Sequence, residues 1–248
     1  MSVESEKDLE SLRKIGRIVA STVQEMFRHL RVGMTTHELD QVGAEILARH
    51  GANSAPKLCY GFNGSTIISI NEEAAHAIPG NRRIHEGDLV NIDVSAELGG
   101  YFADTGYTRP VGRAHPITHR LCAASQEALA EALKCVKAGS PISSVEHAIR
   151  KVARKRGFSV IENLAGHGVG RHIHEEPNYV PDFGNRKDKR RFKKNCVLTI
   201  EPFLSTGPRH AYNTSDGWTL VTPKGNYTAQ FEHTIIVTDG DPIILTAA

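Results

Sequence analysis

Across residues 7–30, Leu9, Leu12, Ile15, Ile18, Val19, Val23 and Met26 recur at helical intervals, laying out one buried face of an amphipathic helix. Gly33 follows, Thr35 or Thr36 stands where an N-cap belongs, and Leu39, Val42, Ile46 and Leu47 form a second helical face that Gly51 terminates. Residues 54–64, with Pro56, Gly61 and Gly64, read as a loop, 66–70 as a strand, and NEEAAHAIPGNRR as a polar turn. The period then changes. Leu89, Val90, Ile92 and Val94 make an apolar, largely β-branched run, Leu98, Gly99 and Gly100 supply turn chemistry, and a second strand begins at Tyr101. A hairpin turning between Leu98 and Gly99 sets Asp93 directly opposite Asp104, ~5 Å away on one face. A turn shifted by one residue sets Asp93 against Gly106 instead. Two carboxylates that close repel unless a proton or a cation lies between them.

After Arg109 and Pro110 the run VGRAHPITHR is a connector, and helical spacing resumes near Thr118. Here the chain begins to repeat itself. An offset of 106 carries Gly33, Leu39, Val42, Ile46 and Gly51 onto Gly139, Val145, Ala148, Val152 and Gly157, so both punctuating glycines and a buried helix face coincide. At an offset of 108, GDLVNID ending on Asp93 matches NCVLTIE ending on Glu201. In AQFEHTIIV, Glu232 takes the place that Asp104 holds on the returning strand of the first half. Each half therefore offers an acid pair on a two-stranded ribbon. If the halves pack about a pseudo-two-fold axis, the four carboxylates converge.

The 248 residues suffice for one large domain or two small ones. A hydrophobic share of 40% and a charged share of 23% are those of a soluble globular protein. A net charge of +2 is too small to argue for nucleic-acid binding by itself. Cys59, Cys122, Cys135 and Cys196 have no C-x-x-C spacing, which fits a reducing cytosol. The opening MSVESEKDLESLRKIG lacks the apolar core of a signal peptide, and no run approaches the ~20 apolar residues needed to span a bilayer. A cytoplasmic protein with no membrane association is expected.

Four converging carboxylates cannot all stay ionised without cations, and oxygen ligands joined by a nitrogen suit Mn, Fe, Co or Zn. The candidate nitrogen lies in AGHGVGRHIHEEP, where His167 sits between glycines and His174 precedes Glu175, Glu176 and Pro177. The G-x-G-x-G spacing is not closed by a lysine and a hydroxyl residue, so a phosphate loop is not supported.

The segments NEEAAHAIPG, NIDVSAELGGYFADT, GHGVGRHIHEEP, TIEPF and QFEHTIIVTDG, with GWTLVT around Trp218, resemble those of type I methionine aminopeptidases, and the resemblance covers essentially all 248 residues. The absence of a long insertion between GHGVG and TIEPF, and of a zinc-binding N-terminal extension, is similar to the short bacterial form. The resemblance implies an α+β pita-bread fold, a single catalytic domain over 1–248 whose halves run from about 1 to 112 and from 118 to 248. It also implies helices covering a curved antiparallel sheet, a two-metal centre, and removal of the initiator methionine from nascent polypeptides when the second residue is small. Carried over by position, the metal ligands fall on Asp93, Asp104, His167, Glu201 and Glu232, with Asp104 and Glu232 bridging the two divalent ions. Two cations sharing a water lower its pKa and present a nucleophile to the scissile carbonyl. Glu201 is then the proton shuttle to the leaving amine, His174 the donor to the tetrahedral oxyanion, and His76 a substrate contact near the scissile amide.

Phe62 and Trp218 match aromatic positions of the methionine pocket; the plain alternative is that both are core aromatics. Cys59, Ile67 and Ile173 depart from the usual tyrosine, cysteine and phenylalanine, and HAIP replaces HGIP, so the departures concern pocket shape and not the metal set. The run NRKDKRRFKK over 185–194 carries seven basic residues and one acid. It is either a solvated loop or a contact with ribosomal RNA. A monomer is expected. The rival readings are a prolidase or Xaa-Pro aminopeptidase of the same fold, which shares the five ligands but usually carries a large extra N-terminal domain, and a pita-bread binding module that has lost its metals.

Overall fold

A computed structural model describes residues 1–185 and 187–247; Arg186, within the basic run, lies outside the described residues. In chain order the first half holds α1 (Glu6–His29), α2 (Thr36–Arg49), β1 (Asn53–Ser54), α3 (Ala55–Tyr60), β2 (Ile67–Ile70), β3 (Glu73–Ala75), β4 (Leu89–Leu98) and β5 (Tyr101–Pro110). Next come α4 (Pro116–Leu133), α5 (Ser143–Arg156), β6 (Ser159–Val160), β7 (Gly166–Gly168), β8 (Glu175–Val180) and β9 (Val197–Ile200). The chain closes with β10 (Phe203–Ser205), β11 (Tyr212–Asn213), β12 (Leu220–Val221), β13 (Thr228–Gln230), β14 (His233–Ile236) and β15 (Ile243–Ile244).

Both N-terminal helices start on capping boxes. Ser5 accepts from the Asp8 backbone while Asp8 accepts from the Ser5 N–H, and Thr35 and Glu38 do the same for α2, which assigns the cap to Thr35 and not Thr36. The stretch 54–64 is not simply a loop: Ser54 caps the short α3, with Pro56 in its first turn and Gly61 ending it in the left-handed region. The polar turn at 71–83 likewise contains β3, which pairs with β12, a partner some 145 residues away that no local pattern announces.

The β4–β5 hairpin turns on Gly99 and Gly100, both at positive φ (61° and 81°), so Leu98 faces Tyr101 and the loop has two residues. This moves the register from the expected one: Asp104 faces Ser95, and Asp93 faces Gly106. Because the pairing moves by two residues along the returning strand, side-chain parity is kept, and Asp93 and Asp104 stay on one face as diagonal neighbours. In the second half, β9 pairs β14 with Ile200 facing His233, and β10 pairs β13 with Phe203 facing Gln230. The same register thus runs through both ladders, and Glu201 and Glu232 lie in the break between them.

Each ribbon buries one face under its own helices. Leu12, Ile15, Val19 and Val23 of α1 and Leu39 of α2 pack with Val90, Ile92 and Val94. Leu121 and Leu129 of α4 and Val145, Ile149 and Val152 of α5 pack with Leu198, Ile200 and Ile235. Each such side chain contributes ~1.5–3 kcal/mol of burial. The helix-bounding glycines adopt matching conformations, Gly33 with Gly139 (φ 91° and 80°) and Gly51 with Gly157 (φ 67° and 77°). The two returning strands lie side by side, joined by threonine hydroxyls. Thr105 Oγ1 donates to Glu232 O (2.7 Å), Thr108 Oγ1 to Gln230 O (2.7 Å) and Thr234 Oγ1 to Asp104 O (2.7 Å), while Glu232 N donates to Gly106 O (2.9 Å). This seam brings the acids of one ribbon against those of the other.

Candidate active site

Asp104, Glu201 and Glu232 are buried, and Asp93 nearly so. His167 joins them from β7, a strand of three residues between two neighbours. A methyl group on Gly166 would lie 2.4 Å from Thr199 O, and one on Gly168 2.4 Å from the carbonyl oxygens of Glu175 and Glu176. The glycines around His167 are therefore required by the packing of β7 between β9 and β8. His167 Nδ1 stands 3.0 Å from Gly168 O, and a carbonyl can only accept. Nδ1 thus carries the proton, and Nε2 presents its lone pair to the acids, 3.7 Å from Glu201 Oε1 and 3.9 Å from Asp104 Oδ2. Asp104, His167 and Glu232 each offer one ligand atom, all within 4.8 Å of one another.

Gln230 ties the remaining acids to this trio. Its Nε2 donates to Glu232 Oε2 (3.1 Å), Glu201 Oε2 (3.3 Å) and Asp93 Oδ2 (3.4 Å), and its Oε1 accepts from Asn91 Nδ2 (2.9 Å). The Asn91 bond fixes which end of the Gln230 amide faces the carboxylates. Thr199 plays a like part: its hydroxyl accepts from His167 N (3.0 Å) and donates to Glu201 Oε1 (2.9 Å). Sequence reasoning missed Gln230, Asn91 and Thr199. The signal was there in the strand period, because each stands two residues before an acid, in NID, TIE and QFE, and so shares its face.

Among the described residues, three carboxylate oxygens stay buried without a hydrogen-bond partner, Asp93 Oδ1, Asp104 Oδ1 and Glu232 Oε1. An unpaired buried acceptor costs ~1–3 kcal/mol, more when charged. The orphaned oxygens, with the Nε2 lone pair of His167, are the donor set a divalent cation takes, so the residues present fit a metal. Without one, burial pushes all four carboxyl pKa values up, Asp93 to about 6 and Glu201 to about 8, and the neighbouring acids raise Asp104 and Glu232 further. Burial lowers the histidines, His76 to about 4 and His167 to about 3, with the adjacent His174 contributing to both.

Asp93, Asp104 and Glu201 line a cavity of about 610 Å³. His76 reaches it from the residue after β3, at φ 56°, a left-handed conformation that costs a non-glycine residue ~1–3 kcal/mol and that the surroundings must hold. His174 lies across from it, its ring centroid 4.1 Å from that of His167. Phe62 and Trp218 line the wall in edge-to-face contact at 5.2 Å. Ile67, opposite Asp93 in the β2–β4 ladder, and the buried Ile173 complete an apolar lining. Cys59 is exposed and does not line the cavity, whereas its neighbour Tyr60 does.

Two ribbons closing on buried carboxylates and a neutral imidazole, beside an apolar cleft, define the core of a metallopeptidase. Residues 10–239 match metallopeptidase family M24, and this chain belongs to that family, with the divalent-metal use it implies. Over 247 residues the chain is 44% identical to methionine aminopeptidase 2 of Bacillus subtilis, covering 99% of both. It superposes on the methionine aminopeptidase of Thermotoga maritima with a TM-score of 0.94 at 33% identity, each chain covered completely. The prolidase of Pyrococcus furiosus shares the pita-bread fold at 22% identity and a TM-score of 0.79, with 65% of that longer chain covered.

Proposed function

We propose that this protein is a metal-dependent aminopeptidase that removes the N-terminal methionine of nascent polypeptides, with two divalent cations held by Asp93, Asp104, His167, Glu201 and Glu232. The observation that carries the reading is the set of orphaned, buried oxygens beside the His167 lone pair, at a cavity of about 610 Å³ with Phe62, Trp218, Ile67 and Ile173 in its wall. When bound, divalent cations polarise the scissile carbonyl and make water a nucleophile at neutral pH. Phe62, Trp218, Ile67 and Ile173 take up the methionine side chain and exclude water. Glu201 passes a proton to the leaving amine, His174 donates a hydrogen bond to the oxygen that gains charge, and His76 orients the amide. The second residue faces the cavity mouth and must be small.

The same reading takes residues 1–248 as one catalytic domain built from the halves 1–112 and 118–248, acting as a monomer in the cytoplasm. Among the described residues no helix is long and apolar enough to cross a membrane. The ions are Mn, Fe, Co or Zn, since oxygen-rich sites discriminate weakly. The segment 185–194 contacts the ribosome through Lys187, Lys189 and Lys193; Arg190, Arg191 and Lys194 are engaged within the fold, by Asp188, Gly139 and Asp239. Co-sedimentation with ribosomes tests this: reversing the three lysines to glutamate weakens binding at low salt, and undiminished binding would remove the contact from the proposal.

The activity is tested with chelator-treated protein, Mn, Fe, Co or Zn added back singly, and Met-Ala-Ser and Ala-Pro-Ser peptides as substrates. Methionine release that needs metal and spares the proline peptide is the expected result. Cleavage of the proline peptide alone would transfer the chain to the Xaa-Pro enzymes of the fold, and no cleavage with any ion would favour a binding module.

A further inference from the structure

Two histidine rings lie against each other in the cavity, with different partners on Nδ1. His167 Nδ1 faces a carbonyl oxygen and must donate, which leaves Nε2 as an acceptor. His174 Nδ1 faces Tyr60 Oη at 2.6 Å, and a hydroxyl can donate or accept. A phenol is a stronger acid than a neutral imidazole N–H, and an imidazole nitrogen is a stronger base than a phenol oxygen, so the favoured arrangement has Tyr60 donating. Burial raises the Tyr60 pKa, and the hydroxyl keeps its proton at neutral pH. The geometry is held from the backbone up. Tyr60 is the last residue of α3, Gly61 turns the chain away at φ 66°, and the Tyr60 ring packs beside His174 with centroids 5.7 Å apart and planes tilted by 42°.

We propose that Tyr60 is a positioning residue for His174: its hydroxyl donates to Nδ1, selects the tautomer protonated on Nε2, and leaves that N–H to meet the oxygen that gains charge during peptide hydrolysis. The adjacent rings are then held in opposite tautomers, His167 as a ligand and His174 as a donor, and neither can take the other's role. The proposal rests on the donor role of His174. It assigns to Tyr60, one residue from the exposed Cys59, a part that aromatic lining alone would not require.

Tyr60→Phe removes the hydroxyl and keeps the ring. The expected result is a kcat lowered about 10- to 100-fold with KM within about twofold, the range typical of lost outer-shell orientation. Side-chain nitrogen NMR of the metal-free protein gives a readout that does not depend on turnover: His174 carries its proton on Nε2 in the wild type and shifts toward the Nδ1 form in Tyr60→Phe. In a His174→Ala background the Tyr60 substitution has no further effect on kcat. A wild-type His174 protonated on Nδ1, or a Tyr60→Phe variant with unchanged kcat, would overturn the proposal. A His174→Ala variant with wild-type kcat would instead overturn the donor role of His174, and the tautomer spectra alone would then decide the part of Tyr60.

Discussion

A methyl group placed on Gly106 would sit 2.1 Å from Gln230 Oε1. Gly106 faces Asp93 across the hairpin and accepts from Glu232 N across the seam, so it marks the place where the two ribbons touch. Gly106→Ala is expected to displace the Gln230 amide, release three carboxylates from their common donor and weaken metal affinity about 10- to 100-fold. Isothermal titration of chelator-treated protein with Mn measures it, and an affinity equal to the wild type would show that the acids hold their positions without Gln230. His174→Ala is expected to lower kcat about 100- to 1000-fold with little change in KM, as for loss of one oxyanion donor. Unchanged kcat with a raised KM would make His174 a substrate anchor. The acids could be read from the chain as paired carboxylates and His167 as a candidate nitrogen ligand between glycines, and the family resemblance joined the five into one set. Gln230 escaped because a glutamine in an apolar strand has no fixed meaning until its amide partners, on β4 and across the break after β9, are known.

The elements place these side chains through contacts that cross between them. Asp40, buried on α2, accepts from Ser65 N (3.0 Å), Thr66 N (2.7 Å) and Thr66 Oγ1 (2.7 Å), and so pins the segment between Phe62 and β2 to the helix. Asp40→Ala leaves those donors without their acceptor and is expected to destabilise the fold by about 2–3 kcal/mol. Urea unfolding measures the loss, and a change below about 0.5 kcal/mol would mean that water or a neighbour replaces the carboxylate. The same variant should raise KM for methionyl peptides, since the Phe62 wall loses its support. At this scale the faces of the long helices, the α2 cap to within one residue and both ribbons were legible, because each depends on a period of two or about 3.6 residues and on nearby turn residues. The hairpin register was not settled by that period. Leu98, Gly99 and Gly100 allow more than one turn centre, and both centres considered keep the same faces.

For the whole molecule, the acid cluster makes the stability of metal-free protein depend on pH in a definite direction. Carboxyl groups whose folded pKa is raised hold protons that the unfolded chain releases near pH 4, so they lower stability as pH rises through about 6 and about 8 for Asp93 and Glu201. The buried histidines act oppositely: with folded pKa values near 4 for His76 and near 3 for His167, they favour folding as pH rises to the ordinary value of 6.5 and have no further effect above it. Between pH 6.5 and 8 only the carboxylates remain, and metal-free protein is expected to lose stability across that interval. Added Mn should therefore raise the melting temperature more at pH 8 than at pH 6.5, and an equal rise at both would contradict the raised carboxyl pKa values. The sequence by itself determined the long helices, the acid-ended strands and the repeated plan, because these follow from local spacing and side-chain chemistry. Only the tertiary structure decided the hairpin register, the Gln230 amide shared by acids of both ribbons, the meeting of Tyr60 with His174 and the pairing of β3 with β12. The last three depend on segments more than a hundred residues apart being packed to within a few ångströms, which no local period encodes, and the hairpin register depends on which of two neighbouring turn centres Leu98, Gly99 and Gly100 adopt.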